Sequence, residues 1–193
     1  MTIFCTEGQL LSAAARGQLA DPAAAAVGLR QGLAAYLNQG GRLNARFYKG
    51  LLAQLEAEAS GAQNALTIID EALAEPDEGE RWDLAFMHRL RGDILLKCGP
   101  SNGGLAEDAF KAAIALAKEQ AARSPLFLAS LALAKLYQST DRSTEAHAVL
   151  AHALEGFSPT PEMPEIAEAQ ALLERLAGSG EGAISATGPA TQG

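Results

Sequence analysis

The stretch "NALTIIDEALAEP", Asn64 to Pro76, sets a small residue at Ala65, a large apolar one at Ile69 and a small–apolar pair at Ala72 and Leu73. Spacings of three and four put these four side chains on one face of a helix. The same signature returns in "AAAAVGLRQGLAAY" (Ala23–Tyr36) as Ala25/Leu29/Gly32/Leu33. It returns again in "LAEDAFKAAIALA" (Leu105–Ala117) as Ala106/Phe110/Ala113/Ile114, and in "STEAHAVLAHALEGF" (Ser143–Phe157) as Ala146/Leu150/Ala153/Leu154. The leading residues stand 40, 41 and 40 apart. A fixed period of this size marks stacked supersecondary units.

A second marker keeps the same step. Arg42, Arg81 and Arg123 precede the second, third and fourth small-residue anchors by 23, 25 and 23 residues. The longer spacing in the third unit coincides with an inserted turn, "CGPSNGGL". Each unit reads as two helices folded back on each other, giving repeats of about 7–38, 42–76, 81–121 and 124–157. The second predicts helices over Leu43–Ala59 and Ala62–Glu75, broken at Ser60-Gly61. The fourth predicts Pro125–Ser139 and Ser143–Phe157, broken at "TDR". In the first, a short leading helix is expected over about Gly8–Gln18. Asp21-Pro22 and Ser124-Pro125 each predict a side-chain N-cap followed by proline at the first helical position, where its missing N–H costs nothing.

A single hairpin cannot cover its own apolar stripe, so the units must stack. The expected fold is all-α: an α-solenoid of about four helix-turn-helix repeats over residues 1–177. "EMPEIAEAQALLERLA" (Glu162–Ala177) carries the stripe Ile166/Ala169/Leu172/Leu173/Leu176 with acids opposite, as a terminal capping helix should. Residues 178–193, "GSGEGAISATGPATQG", hold too few large apolar side chains to fold and are expected to be a disordered tail.

The composition narrows the function classes. With 23 acidic and 15 basic residues the net charge is −8, and no Lys/Arg cluster offers a face to phosphates or to anionic lipid. Nucleic acid and membrane are therefore not expected partners. No apolar run approaches the roughly 20 residues of a membrane-spanning helix. "MTIFCTEGQLL" lacks the basic start and apolar core of a signal peptide. The two cysteines, Cys5 and Cys98, are far apart and read as reduced thiols, so a cytoplasmic location is expected.

The small–x₃–large–x₂–small–apolar pattern resembles the second helix of tetratricopeptide repeats, although these units are longer than that family's usual repeat. "GERWDLAFMHRLRGDILLKCGP", "KEQAARSPLFLASLALAKLYQSTDRSTEAHAVLA" and "EGFSPTPEMPEIAEAQALLERL" are similar to the C-terminal repeat region of large bacterial signalling proteins. Those proteins join an adenylate/guanylate cyclase or DNA-binding domain to a predicted ATPase and then to such repeats. The resemblance spans about Ala23 to Ala177. It implies a non-catalytic protein–protein interaction module that binds a peptide segment or a neighbouring domain. The alternative it leaves open is a C-terminal regulatory fragment of a cyclase- or ATPase-containing signalling enzyme.

Motifs that suggest chemistry give way to helical spacing. In "MHRLRGDILLKCGP" (Met87–Pro100) the Asp that a kinase loop places directly after His-Arg is displaced by Leu90, Arg91 and Gly92. Arg91-Gly92-Asp93 falls mid-helix rather than on an adhesive loop, and Gly92 occupies a position that calls for close helix packing. "GPSNGGL" lacks the Lys-Ser/Thr of a phosphate loop. Gly178/Gly180/Ala183 match G-x-G-x-x-A but follow a helix, not a strand. His147 and His152 are five residues apart and diverge on a helix, and His88 stands alone, so no metal ligand set is expected. Cys98 closes a helix as a small packing residue. The acids read as solvated outer faces. No catalytic residue, cofactor or metal is assigned.

The resemblance does place a groove. First-helix positions that line the concave side of such arrays correspond to Gln54 and Glu58, then Arg89, Asp93 and Lys97, then Lys135 and Gln138. Of the positions that clamp a peptide's terminal carboxylate in that family, this chain has Gly50, Gln54, Arg89, Asp93, Leu131 and Lys135. These do not reproduce the Lys/Asn set, so the expected ligand is a protein segment of another kind. The competing expectation is a surface ladder of Arg89, Asp93 and Lys97 at i,i+4 spacing, worth roughly 0.2–0.5 kcal/mol per pair.

Overall fold

The computed structural model describes residues 21–76 and 81–184, with side chains placed through 178. Among these the chain is all-helical: α1 (Pro22–Asn38), α2 (Ala45–Ala59), α3 (Ala62–Ala74), α4 (Leu84–Cys98), α5 (Gly103–Glu119), α6 (Arg123–Ser139), α7 (Ser143–Leu154) and α8 (Glu165–Ile184). A short 3₁₀ turn, Pro100–Asn102, leads from α4 into α5. The expected leading helix over Gly8–Gln18 lies outside the described residues.

The helices fall into two compact units that part within α5, after Ala113. In the first, α1 packs on α2, α2 on α3 and α3 on α4, and α2 also meets α4. In the second, α6 packs on α7, α7 on α8, and α6 meets α8. Within each unit, then, helices pair with their neighbours in sequence, and a further contact joins helices two apart. Stacked hairpins require that pattern, because each pair must lend its apolar stripe to the next.

The repeated signature is the buried register. Ala65, Ile69, Ala72, Ala106, Phe110, Ala113, Ala146 and Leu150 have no exposed surface, and Ala25, Leu29, Leu33 and Ala153 are buried with them. The last residue of the later signatures, Leu73, Ile114 or Leu154, is half-buried. Small residues here let helices approach closely, and the large one fills the space alongside. Gly92 on α4 makes the point most sharply: a Cβ there would lie 2.4 Å from Cε1 of Phe110. Of the capping stripe, Ile166, Ala169, Leu172 and Leu176 are buried and Leu173 is half-buried.

The ends of the helices follow local chemistry. The Asp21 side chain accepts from the Ala23 and Ala24 N–H groups at 3.0 and 3.2 Å, with Pro22 at the first position. Between α2 and α3 the turn is made by Gly61 at φ +115°, a conformation suited to glycine. The Ser124 cap is a correction. Helix α6 starts at Arg123, after an Ala122 that makes no side-chain cap, and Pro125 sits in the first turn. The first-turn N–H groups have no intrahelical acceptor, so proline is tolerated there too. Helix α7 stops at Leu154 rather than Phe157, and Gly156 takes a φ of +76° just beyond.

At the C-terminus, α8 begins at Glu165 and continues to Ile184, beyond the Ala177 boundary expected for the cap and into the stretch assigned to the tail. Extending an existing helix forms one hydrogen bond per residue fixed, without the cost of nucleation, so helical backbone carries past Gly178 and Gly180. Residues 185–193 lie outside the described residues.

Candidate functional site

Helices α2 and α4 bring five of the seven groove residues together. Gln54 and Glu58 from α2, and Arg89, Asp93 and Lys97 from α4, line one cleft of about 290 Å³. Its remaining walls are Ala57, Leu90, Ile94 and Leu96, so apolar side chains flank a charged rim. The rim carries both signs in contact. Arg89 Nη1 donates to Asp93 Oδ2 at 2.7 Å, one turn along the same helix. Lys97 reaches across to Glu58 on the facing helix. The Arg89–Asp93 rung of the surface ladder lies along α4, and Lys97 pins α4 to α2. Both pairs keep solvent contact, and exposed pairs contribute only about 0–1 kcal/mol. They are therefore inexpensive to exchange for a ligand's charges.

The other two groove residues stand on α6 in the second unit. Lys135 pairs with Glu168 of α8 at 2.7 Å, and Gln138 is half-buried. The rest of α4 is scaffold. Arg91 Nε donates to Asp70 on α3 at 2.6 Å, Leu90, Ile94 and Leu95 are buried, and Cys98 is a half-buried free thiol.

Two acids depart from the expectation of solvated faces. Glu56, 2% exposed, accepts from Arg30 of α1 and Ser60, and from Asn64 Nδ2 at 3.2 Å. Asp83, 3% exposed, receives Arg46 Nη2 at 2.8 Å and Arg46 Nε at 3.1 and 3.0 Å on its two oxygens. Both carboxylates are buried because cations reach them from other helices, and burial without such partners would be prohibitive.

His88 is half-buried on α4, and burial, reinforced by the Arg91 guanidinium, holds its pKa below the ordinary 6.5. The unfolded chain therefore takes up this proton before the folded one does. The stability this neutral imidazole carries is complete above about pH 6.5 and declines as pH falls toward the lower folded-state pKa. Urea denaturation at pH 7 and pH 5 should show wild type losing ground to His88→Gln at the lower pH. A pH-independent difference would contradict the assignment.

Among the described residues no group of three His, Cys, Asp or Glu side chains could hold a metal ion, and no helix is long and apolar enough to cross a membrane. His147 and His152 are both exposed on α7. No protein-family model, curated protein or solved structure matches this chain.

Proposed function

We propose that this chain is a tetratricopeptide-type interaction module of a bacterial signalling or regulatory system, which holds a segment of a protein partner against α2 and α4. The observation that carries this reading is the convergence of Gln54, Glu58, Arg89, Asp93 and Lys97 on one cleft. These residues come from helices well separated in sequence, and they are the positions that the resemblance to tetratricopeptide arrays assigns to the groove. A cleft with apolar walls and exchangeable charges of both signs suits a peptide carrying mixed charge and a few apolar anchors. The role is binding without covalent chemistry.

The test is to select peptides from a displayed random library against the full chain. Capture is then compared with that by a charge-reversed variant, Arg89→Glu with Lys97→Glu. Both side chains are at the cleft rim, so the helical circular-dichroism signal should be unchanged while affinity falls about tenfold or more. Adding Lys135→Glu reports separately on the second unit. Unchanged capture of every selected peptide by the α4 double variant would remove the cleft from the binding account.

A further inference from the structure

A second and larger cleft, of about 620 Å³, opens at the other end of the first unit's helices. It lies among the turn before α2, the first residues of that helix, the end of α3 and the start of α4, and shares no residue with the α2–α4 cleft. We infer that this cleft is a docking site for an internal peptide segment in which an aspartate or glutamate neighbours a bulky apolar residue.

Charge is the first argument. Among the described residues five ionic side chains line the cleft: Arg42, Arg46 and Lys49, with Glu75 and Asp83. Arg46 is committed to Asp83 and Lys49 to Glu75. Among the described residues Arg42 has no carboxylate: its guanidinium donates to carbonyl oxygens, those of Leu37 at 3.2 Å and Gly41 at 2.9 Å. One cation without a carboxylate, set in a wall whose other charges are balanced, calls for one carboxylate from outside.

The second argument is apolar exposure. Among the described residues the exposed large hydrophobic side chains are Val27, Leu43, Trp82 and Leu105, and two of these, Leu43 and Trp82, line this cleft. Trp82 is 49% exposed, yet its ring rests 5.2 Å from that of Phe47, which packs in turn on Phe86 at 5.5 Å. The indole thus presents a supported face, and among the described residues its N–H makes no hydrogen bond. Exposed tryptophan beside arginine is the combination that anchors protein interfaces.

The third argument is preorganisation. The turn that presents Arg42 and Leu43 is tied down from both sides. The Gly41 N–H donates to the Tyr36 carbonyl at 3.0 Å, and the Tyr36 hydroxyl donates to the Leu43 carbonyl at 2.5 Å. Asn44 follows in the left-handed region at φ 58°. Binding to a wall already held in place loses little conformational entropy. A single uncompensated cation fits one side-chain carboxylate, and the volume accommodates a few residues of a peptide.

The experiment uses the full chain and an array of short synthetic peptides capped at both ends. It pairs members that carry Asp or Glu beside Trp, Phe or Leu with otherwise identical Asn or Gln members. The acidic–apolar members should bind, and amidation of the acid should weaken them about tenfold. Arg42→Glu should abolish that preference or shift it to basic members, and Trp82→Ala should weaken all members. Because Trp82→Ala also unstacks Phe47, a thermal melt accompanies it, and the solvent-exposed Arg42→Gln supplies a variant with little structural cost. The inference is overturned if acidic and amidated members bind alike, or if Arg42→Glu and Arg42→Gln leave binding unchanged. Arg89→Glu with Lys97→Glu should leave this binding intact, which separates it from the α2–α4 cleft.

Discussion

Replacing Arg46 with alanine is expected to cost about 3–5 kcal/mol of folding stability, because it strands the Asp83 carboxylate in the interior. Asp83 is buried and Arg46 half-buried, with side-chain exposures of 5% and 13%. It joins the first turn of α2 to the residue before α4, and so ties one hairpin to the next. The attraction within the pair is not by itself the large quantity, since desolvation offsets much of it. The large quantity is the cost of leaving one charge without the other. Removing both, as Arg46→Met with Asp83→Leu, should therefore restore most of the loss. Urea denaturation of wild type, single and double variants measures this cycle. Equal losses in the single and double variants would mean the pair is not the tie described.

The second large effect lies at Phe110, a fully buried ring against which Gly92 packs. Truncation to alanine should cost about 3–5 kcal/mol through lost burial and the cavity left behind. Gly92→Ala has two opposing consequences. It gains up to about 1 kcal/mol of helix propensity, but it sets a methyl group 2.4 Å from a ring atom that has no free space to retreat into. Overpacking of this kind costs about 1–3 kcal/mol, so the net change should be destabilising. In the Phe110→Ala background the same substitution meets a void and should become stabilising. That reversal of sign is the diagnostic result. A Gly92→Ala change that stabilises both backgrounds would mean the glycine is not there for packing.

The parts of this molecule legible in its sequence are those with a period. Ala65, Ile69 and Ala72 could be read as buried because the same spacing recurs in three other helices and a helix has fixed geometry. Gly92 could be read as a packing residue because the register left room for nothing else. Gln54, Glu58, Arg89, Asp93 and Lys97 were picked by the resemblance to tetratricopeptide arrays rather than by the period itself, and they line one cleft because they recur on the facing sides of α2 and α4.

What was not legible depends on partners brought together by tertiary packing. Arg46 and Asp83 are 37 apart in sequence, and Arg30 and Glu56 are 26 apart. An acid on an amphipathic helix looks solvated until the helix that covers it is in place. The Arg42–Trp82 cleft was missed because the recurring arginines mark the start of each unit without showing what they stand beside in the fold. The available signal was the chain's single tryptophan next to Arg81, one of the recurring arginines. A large apolar residue at a helix approach, outside any buried register, is a surface feature in need of a partner. The start of α6 was misplaced because Ser124-Pro125 is a local cap signal, and the helix simply extends through it.

The most direct measurement is hydrogen–deuterium exchange on the full chain, with and without a selected peptide whose capture Arg42→Glu leaves unchanged. Binding along the repeat groove predicts slowed exchange in α2 around Gln54 to Glu58 and in α4 around Arg89 to Lys97, with the Arg42 turn unchanged. Protection confined to the Arg42 turn and the start of α4, or absent from both helices, would contradict the proposal that the α2–α4 cleft holds a peptide.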